Sequence, residues 1–346
     1  MKILILKPSS LGDVVQAIPV LRMIKRHWAA SEIYWWIADD LQGLLEADPD
    51  LNGVFLFRRR RWRHPGHWHE AVASVMEMRR HRFDLVIDLQ ALARSALAAW
   101  FAGAGRNVGL DDMREGASAL YDQSVPRPSF DTHAVDWYLG VVRSLNVPVR
   151  WDFEWLPPRP GIQAQLPPNP AAEAVAWVAV IPGARWANKR WPIEHYALAL
   201  NRVAQSHPAA RFVILGGPGD AEMARQLAAA VPERTCNTVG GTTLPQMVEW
   251  VRRCSLVLTN DTGPMHVAAA LGRPVVALFG PTHPARTGPY RQLDAVLRVP
   301  MACAPCMRPR CRNPEPVACL RQLPPAQVAE VVRRRLLSPL AQMALV

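Results

Sequence analysis

Thr259-Asn260-Asp261-Thr262-Gly263-Pro264-Met265-His266 follows the apolar run Leu256-Val257-Leu258 and precedes Val267-Ala268-Ala269-Ala270-Leu271. The order is strand, polar turn, helix. Asp261 or Thr262 can cap such a helix, and Pro264 suits its first turn. Its leading amides make an anion site, and Gly263 lets the backbone come close to a phosphate. A well-capped helix without a ligand has the same local pattern. A second loop, Gly183-Ala184-Arg185-Trp186-Ala187-Asn188-Lys189-Arg190-Trp191-Pro192, follows another apolar run. Beside an anion-seeking helix start, Arg185, Lys189 and Arg190 would clamp a diphosphate; alone they would form a solvated basic loop. Gly216-Gly217-Pro218-Gly219-Asp220-Ala221-Glu222 follows a third run and spells no GxGxxG, so the dinucleotide fingerprint is absent. Glu222 either accepts bonds from ribose hydroxyls or favours a helix N-terminus.

The first half offers a different chemistry. Ser9-Ser10-Leu11-Gly12-Asp13 sets a carboxylate at the start of a helical pattern. A sugar hydroxyl attacks poorly until a base removes its proton, and Asp13 suits that role or that of a simple cap. Arg58-Arg59-Arg60-Arg61-Trp62-Arg63 follows the third strand pattern. So many like charges must face solvent or an anion. Asp48-Pro49-Asp50 has the DxD spelling of metal-dependent sugar transferases, but Asp and Pro between a short helix and a strand read as a turn. Cys303, Cys306, Cys311 and Cys319 lack a second CxxC. Structural metal, reduced packing and redox chemistry all stay open for them.

These loops need elements to hold them. Strand patterns fall at Lys2 to Lys7, Ile33 to Ile37, Val54 to Phe57 and Phe83 to Asp88, separated by helix-length intervals. In the first of those intervals Val14, Ala17, Ile18, Leu21 and Ile24 form an apolar stripe, with Arg22, Lys25 and Arg26 on the other face. Residues 156 to 170 hold six prolines, a density that neither a helix nor a central strand survives. This stretch is read as the linker between a domain of residues 1–160 and one of residues 171–346. The alternation then restarts, with strands at Trp177 to Ile181, Arg211 to Leu215, Leu256 to Leu258 and Val275 to Phe279. Helices are expected near 193–205, 219–230, 244–252, 264–271 and 327–337, the last free to return to the first domain. Alternation of this kind means an α/β fold with two Rossmann-like halves. Ligands then belong at the carboxyl ends of the strands, facing across a cleft.

The chain has 346 residues, half of them apolar, and a formal charge of +11. Such a field favours anionic partners. Helix-turn-helix, zinc-finger and RNP patterns are absent, which speaks against nucleic acid. The apolar runs are far below the roughly 20 residues of a membrane span, and the N-terminus is too short for a secretory leader. A cytoplasmic protein is expected. Thirteen tryptophans, several beside basic residues, suit core packing, carbohydrate sites or membrane interfaces.

Lys7-Pro8-Ser9-Ser10-Leu11-Gly12-Asp13, Phe83 to Gln90 with Arg94-Ser95, Arg114 to Ala117, His133 to Asp136, Asn260 to His266 and Phe279-Gly280-Pro281-Thr282 together resemble the bacterial heptosyltransferases of the lipopolysaccharide inner core. The type adding the first heptose is the more similar. The resemblance implies a GT-B fold and a metal-independent, cofactor-free, inverting transfer from ADP-heptose to a Kdo sugar on lipid A. It implies a monomer, peripheral on the inner face of the inner membrane. Asp13 would be the base. Lys189, Arg185, Glu222, Asp261, Thr262, Gly263 and His266 would serve the donor. Ser10, Arg58, Arg59, Arg60, Arg61, Arg63 and Gln90 would serve the acceptor. The chain departs from the first-heptose type at Ala184-Arg185, where threonines are common, and in its cysteine-rich tail, which looks more like the second-heptose type. A nucleotide-sugar epimerase is the competing enzyme class.

Overall fold

The computed structural model describes residues 1–113, 115–163, 165–166 and 175–337. Arg114 of the Arg114-Glu115-Gly116-Ala117 motif, and residues 164 and 167–170 of the proline-rich stretch, lie outside them. The chain divides into two units, Met1–Pro157 and Pro158–Val346.

In the first unit six strands, β1 (Lys2–Leu6), β2 (Glu32–Ala38), β3 (Gly53–Phe57), β4 (Leu85–Asp88), β5 (Arg106–Asp111) and β6 (Gln123–Pro126), form one parallel sheet in the order β3-β2-β1-β4-β5-β6. Its longer helices are α1 (Leu11–His27), α2 (Trp68–Arg80), α3 (Ala93–Ala102) and α4 (Ala134–Ser144). A parallel sheet is covered on both faces, which is why β1 and β4 are apolar without alternation. One face packs Leu4, Leu6, Trp36, Phe57 and Val86 against Met78 of α2 and Ala98 and Ala99 of α3. On α1 and α4, which pack together, Val14, Ile18, Leu21, Tyr138 and Val141 are buried.

The second unit repeats the plan with β7 (Ala176–Ile181), β8 (Ala210–Ile214), β9 (Thr235–Asn237), β10 (Leu256–Asn260), β11 (Val275–Leu278) and β12 (Val296–Leu297), in the order β12-β11-β10-β7-β8-β9. Its longer helices are α5 (Ile193–Ser206), α6 (Ala221–Ala230), α7 (Leu244–Arg253), α8 (Gly263–Ala270) and α9 (Pro325–Leu336). Val328, Val332 and Leu336 of the last helix join the core of this unit with Leu200 and Val203 of α5, which it packs against. Both sheets have the strand order of dinucleotide-binding folds, with one reversal in each. The reversal falls between β1 and β4, and between β7 and β10. Among the described residues no helix is long and apolar enough to cross a membrane.

Four strands escape the sequence reading: β5, β6, β9 and β12. The last three are short, half-exposed edge pieces without an apolar run, placed only by the strand beside them. Two further expectations are corrected. Pro160–Gln163 forms one helical turn inside the proline-rich stretch, because proline is tolerated at the first helical position. Arg22 is buried rather than on a solvent face. Asp48 takes it by two bonds, at 2.6 and 2.5 Å, and Asp50 adds a third at 2.7 Å. Two carboxylates offset the desolvation of one guanidinium, and its second nitrogen also donates to the Trp155 carbonyl. The DxD spelling is therefore a turn that anchors α1.

Removing one partner of a buried pair leaves the other charge stranded. Asp48→Ala is expected to destabilise the protein by about 3–5 kcal/mol in urea denaturation. Asp50→Ala, at the partly exposed end of the pair, should cost no more than about 1 kcal/mol.

Candidate functional site

In the second unit the reversal point gathers polar groups from three loops. β7 and β10 run side by side, with Ile181 opposite Thr259, and their loops leave in different directions. After β7 comes a short turn, Ala187–Lys189, that brings the Lys189 ammonium to 2.6 Å from Asp261 Oδ2. The same ammonium lies over the Trp186 ring, 4.7 Å from its centroid. Asp261 Oδ2 also accepts from the Thr282 hydroxyl at 2.5 Å. Asn260 pins the two loops together. Its Oδ1 accepts from the Trp191 amide at 3.1 Å, and its Nδ2 donates to the Pro182 carbonyl at 2.7 Å. Asn260 is fully buried.

Thr262 occupies the cap position of α8 in extended conformation, and its hydroxyl makes no capping bond. Gly263 and Pro264 are the first two helical residues, and His266 is buried on the next turn. The positive end of a helix dipole thus adjoins the Lys189 ammonium, an arrangement that attracts a polyanion. Arg185 is exposed on the same loop as Lys189. Glu222 stands apart from this group. Its carboxylate, on the exposed face of α6, accepts from Arg225 and, at 3.0 Å, from Gln226.

Asp220, two residues earlier, has no role in the sequence pattern of its own loop. It fills the space between two glycines: a Cβ on Gly183 would lie 2.5 Å from its Oδ2, and one on Gly216 2.8 Å. The Gly217 amide donates to that oxygen at 3.1 Å. Glycine at 183 and 216 is the signal that a side chain from elsewhere needs the room. Thr282 and Asn260 also have no individual sequence signal, although both lie in the motifs that carry the resemblance.

In the first unit Lys7 follows β1 and Asp13 lies in the first turn of α1, while Asp88 ends β4 and Gln90 follows it, again at the reversal point. Ser10, rather than Asp13, is the N-cap of α1. Its amide and hydroxyl both donate to Asp13 Oδ2, at 2.9 and 2.6 Å. Lys7 is buried, donates to the Leu89 carbonyl at 2.8 Å and lies 4.9 Å from the Tyr138 ring centroid. Burial works against its charge, but Tyr138, Asp13 and Asp88 outweigh that and raise its pKa. Asp88 is fully buried, and desolvation lifts its carboxyl above the usual range despite bonds from Tyr121 and the Gln90 amide, both at 2.7 Å. Gln90 Oε1 is buried without a hydrogen-bond partner. An amide oxygen left so is costly unless something else meets it.

The arginine run continues past β3 into a short turn, Arg61–Arg63. Glu70 of α2 accepts from Arg61 at 2.5 Å and pairs with Arg58 at 3.8 Å. Arg60 and Arg63 are exposed, and Arg59 is partly so. The cysteines are all free thiols. Cys319 packs against Gly280, where a Cβ would come within 2.8 Å of its sulfur, and burial first, then the neighbouring thiols, push it up to about 11. Cys303 accepts from the Asn313 amide group and Cys311 from the Val317 amide. Among the described residues no three ligating side chains are arranged to hold a metal ion.

Residues 72–316 match the family model described as glycosyltransferase family 9 (heptosyltransferase). The chain is 27% identical to lipopolysaccharide heptosyltransferase 1 of Pseudomonas aeruginosa, over 98% of this chain and 99% of that one. It is 29% identical to lipopolysaccharide heptosyltransferase 2 of Salmonella typhimurium, over 86% and 88%. Among solved structures, E. coli ADP-heptose lps heptosyltransferase II superposes with a TM-score of 0.75 at 26% identity, covering 97% of this chain and 99% of that one. Two six-stranded parallel sheets, each with polar residues gathered where its strand order reverses, accord with these likenesses. The chain belongs to glycosyltransferase family 9, the heptosyltransferases.

Proposed function

We propose that this chain transfers a heptose from ADP-heptose to a Kdo sugar of the lipopolysaccharide inner core, with inversion and by direct displacement. The observation that carries the donor side is the Lys189 ammonium, 2.6 Å from Asp261 and beside the start of α8. A leaving diphosphate develops negative charge as its bond to the sugar breaks, and a preset cation with a helix dipole stabilises that charge. Asp261 and Thr282 hold the ammonium in place, and Thr262 and Gly263 would meet the phosphate oxygens. Arg185 extends the positive field, His266 shapes the pocket, and Glu222 is the proposed ribose contact.

The acceptor hydroxyl attacks the anomeric carbon, its proton passes to Asp13, and ADP leaves. Ser10 donates twice to the Asp13 carboxylate, which fixes that group at the start of α1. The arginines from Arg58 to Arg61 with Arg63 suit the carboxylate of a Kdo sugar, and Gln90, with its unmet amide oxygen, suits one of its hydroxyls. The reading needs no metal and no organic cofactor, and the working unit is a monomer at the inner face of the inner membrane. A second-heptose acceptor is the alternative, favoured by the likeness to proteins named heptosyltransferase 2.

Release of ADP from ADP-heptose, with and without Kdo-lipid A, tests the reading; acceptor-dependent release that persists in EDTA is the expected result. Release only when the acceptor already carries one heptose would move the chain to the second step. Asp13→Ala should lower kcat by about 10²–10⁴-fold while the circular dichroism stays native. Normal turnover in that variant would exclude Asp13 as the base. Lys189→Ala should lower kcat/KM for the donor by about 10²-fold or more, and an unchanged value would remove the clamp.

A further inference from the structure

An apolar groove of about 560 Å³ opens between α2 and α3 in the first unit, beside the arginines assigned above. Trp36, Phe57 and Trp62 lie at its base. Its walls are Trp68, Val72 and Met76 on α2, four residues apart, and Leu97 and Phe101 on α3, also four apart. These five side chains are between 44% and 62% exposed. Helical residues at that spacing share a face, and among the described residues this one stays open to solvent. A contiguous apolar patch of this kind usually marks a contact surface.

Charge says what covers it. From Arg58 to Arg106 the sequence holds ten arginines against four carboxylates, an excess of six out of the chain's +11. Arg94 lines the groove, Arg79 donates to the Phe101 carbonyl at its edge, and Arg61 and Arg63 flank Trp62. The carboxylates of α2 turn away: Glu70 and Glu77 line a separate polar pocket with His69, Ser74 and Arg80. A second copy of this chain would bring the same arginines face to face. Nucleic acid would satisfy the arginines but not the apolar walls. Exposed tryptophan and aliphatic side chains ringed by arginine match the boundary between acyl chains and anionic headgroups.

We propose that the α2–α3 groove, with its arginine rim, docks the protein on an anionic phospholipid bilayer. The inference deepens the function proposed above, because it would bring the enzyme to a lipid-borne acceptor, but bilayer binding is measurable without turnover. The experiment is co-sedimentation of the full chain with phosphatidylglycerol–phosphatidylethanolamine vesicles and with phosphatidylcholine vesicles. The wild type should partition onto the anionic vesicles, less so as salt rises. The combined Val72→Ser, Met76→Ser and Leu97→Ser variant should bind at least about tenfold more weakly. Arg94→Glu should also weaken binding, without altering an apolar side chain. Equal binding by wild type and the triple variant, or none by wild type, would overturn the proposal. So would self-association that the triple variant abolishes, which would give the groove to a second copy. With a water-soluble, delipidated acceptor the triple variant should keep the wild-type kcat/KM. Failure of the wild type on that acceptor would count against the proposed function and leave the vesicle result standing.

Discussion

β7 and β10 are hydrogen-bonded neighbours, yet β8 lies on the far side of one and β11 on the far side of the other. That reversal of strand order is the constraint on which the donor-side chemistry depends. The connections leaving the two strands must part, and between them the sheet's carboxyl edge stays open. Asn260 ends β10 and spans that gap, fastening the Trp191 amide and the Pro182 carbonyl with one side chain. Lys189 and Asp261 can then meet, although 72 positions separate them. The first unit uses the same device between β1 and β4, where Lys7, Asp13, Asp88 and Gln90 fall.

Charge in this protein is arranged by burial as much as by sequence position. Arg22 looks like a solvent-facing arginine and is instead held inside by Asp48 and Asp50. Lys7 is buried and kept charged by its neighbours, whereas the buried Asp88 carboxyl is pushed towards its neutral form. The arginines after β3 divide: Arg58 and Arg61 turn to Glu70, while Arg60 and Arg63 face outward. A run of like charges in a sequence thus becomes a held scaffold with an outward-facing remainder.

Several roles come from space rather than from a reactive group. Gly183 and Gly216 matter because the Asp220 carboxylate occupies the volume a Cβ would take. Gly280 makes room for Cys319 and Leu320 in the same way, and the Met307 amide donates to the Pro281 carbonyl, which ties the cysteine-rich segment to the loop carrying Thr282. In that segment Cys303 and Cys311 accept weak hydrogen bonds at sulfur, while Cys319 packs against Gly280.

Much of this was legible in the residues alone. Apolar runs such as Ile3 to Leu6 and Val275 to Leu278 mark buried parallel strands, because both faces of such a sheet are covered. The strand–turn–helix around Asp261 was readable because caps and proline act locally, through the residues beside them. Edge strands such as β9 and β12 were not legible, since their conformation is imposed by a neighbouring strand. Nor were the partners of Asp261 and Arg22, or the bond from Tyr121 to Asp88, which join residues tens of positions apart. Local sequence determines which segments become strands and helices and which loops carry polar groups. Which of those groups touch is decided only when the chain closes on itself, because burial and distance are properties of the packed sheet.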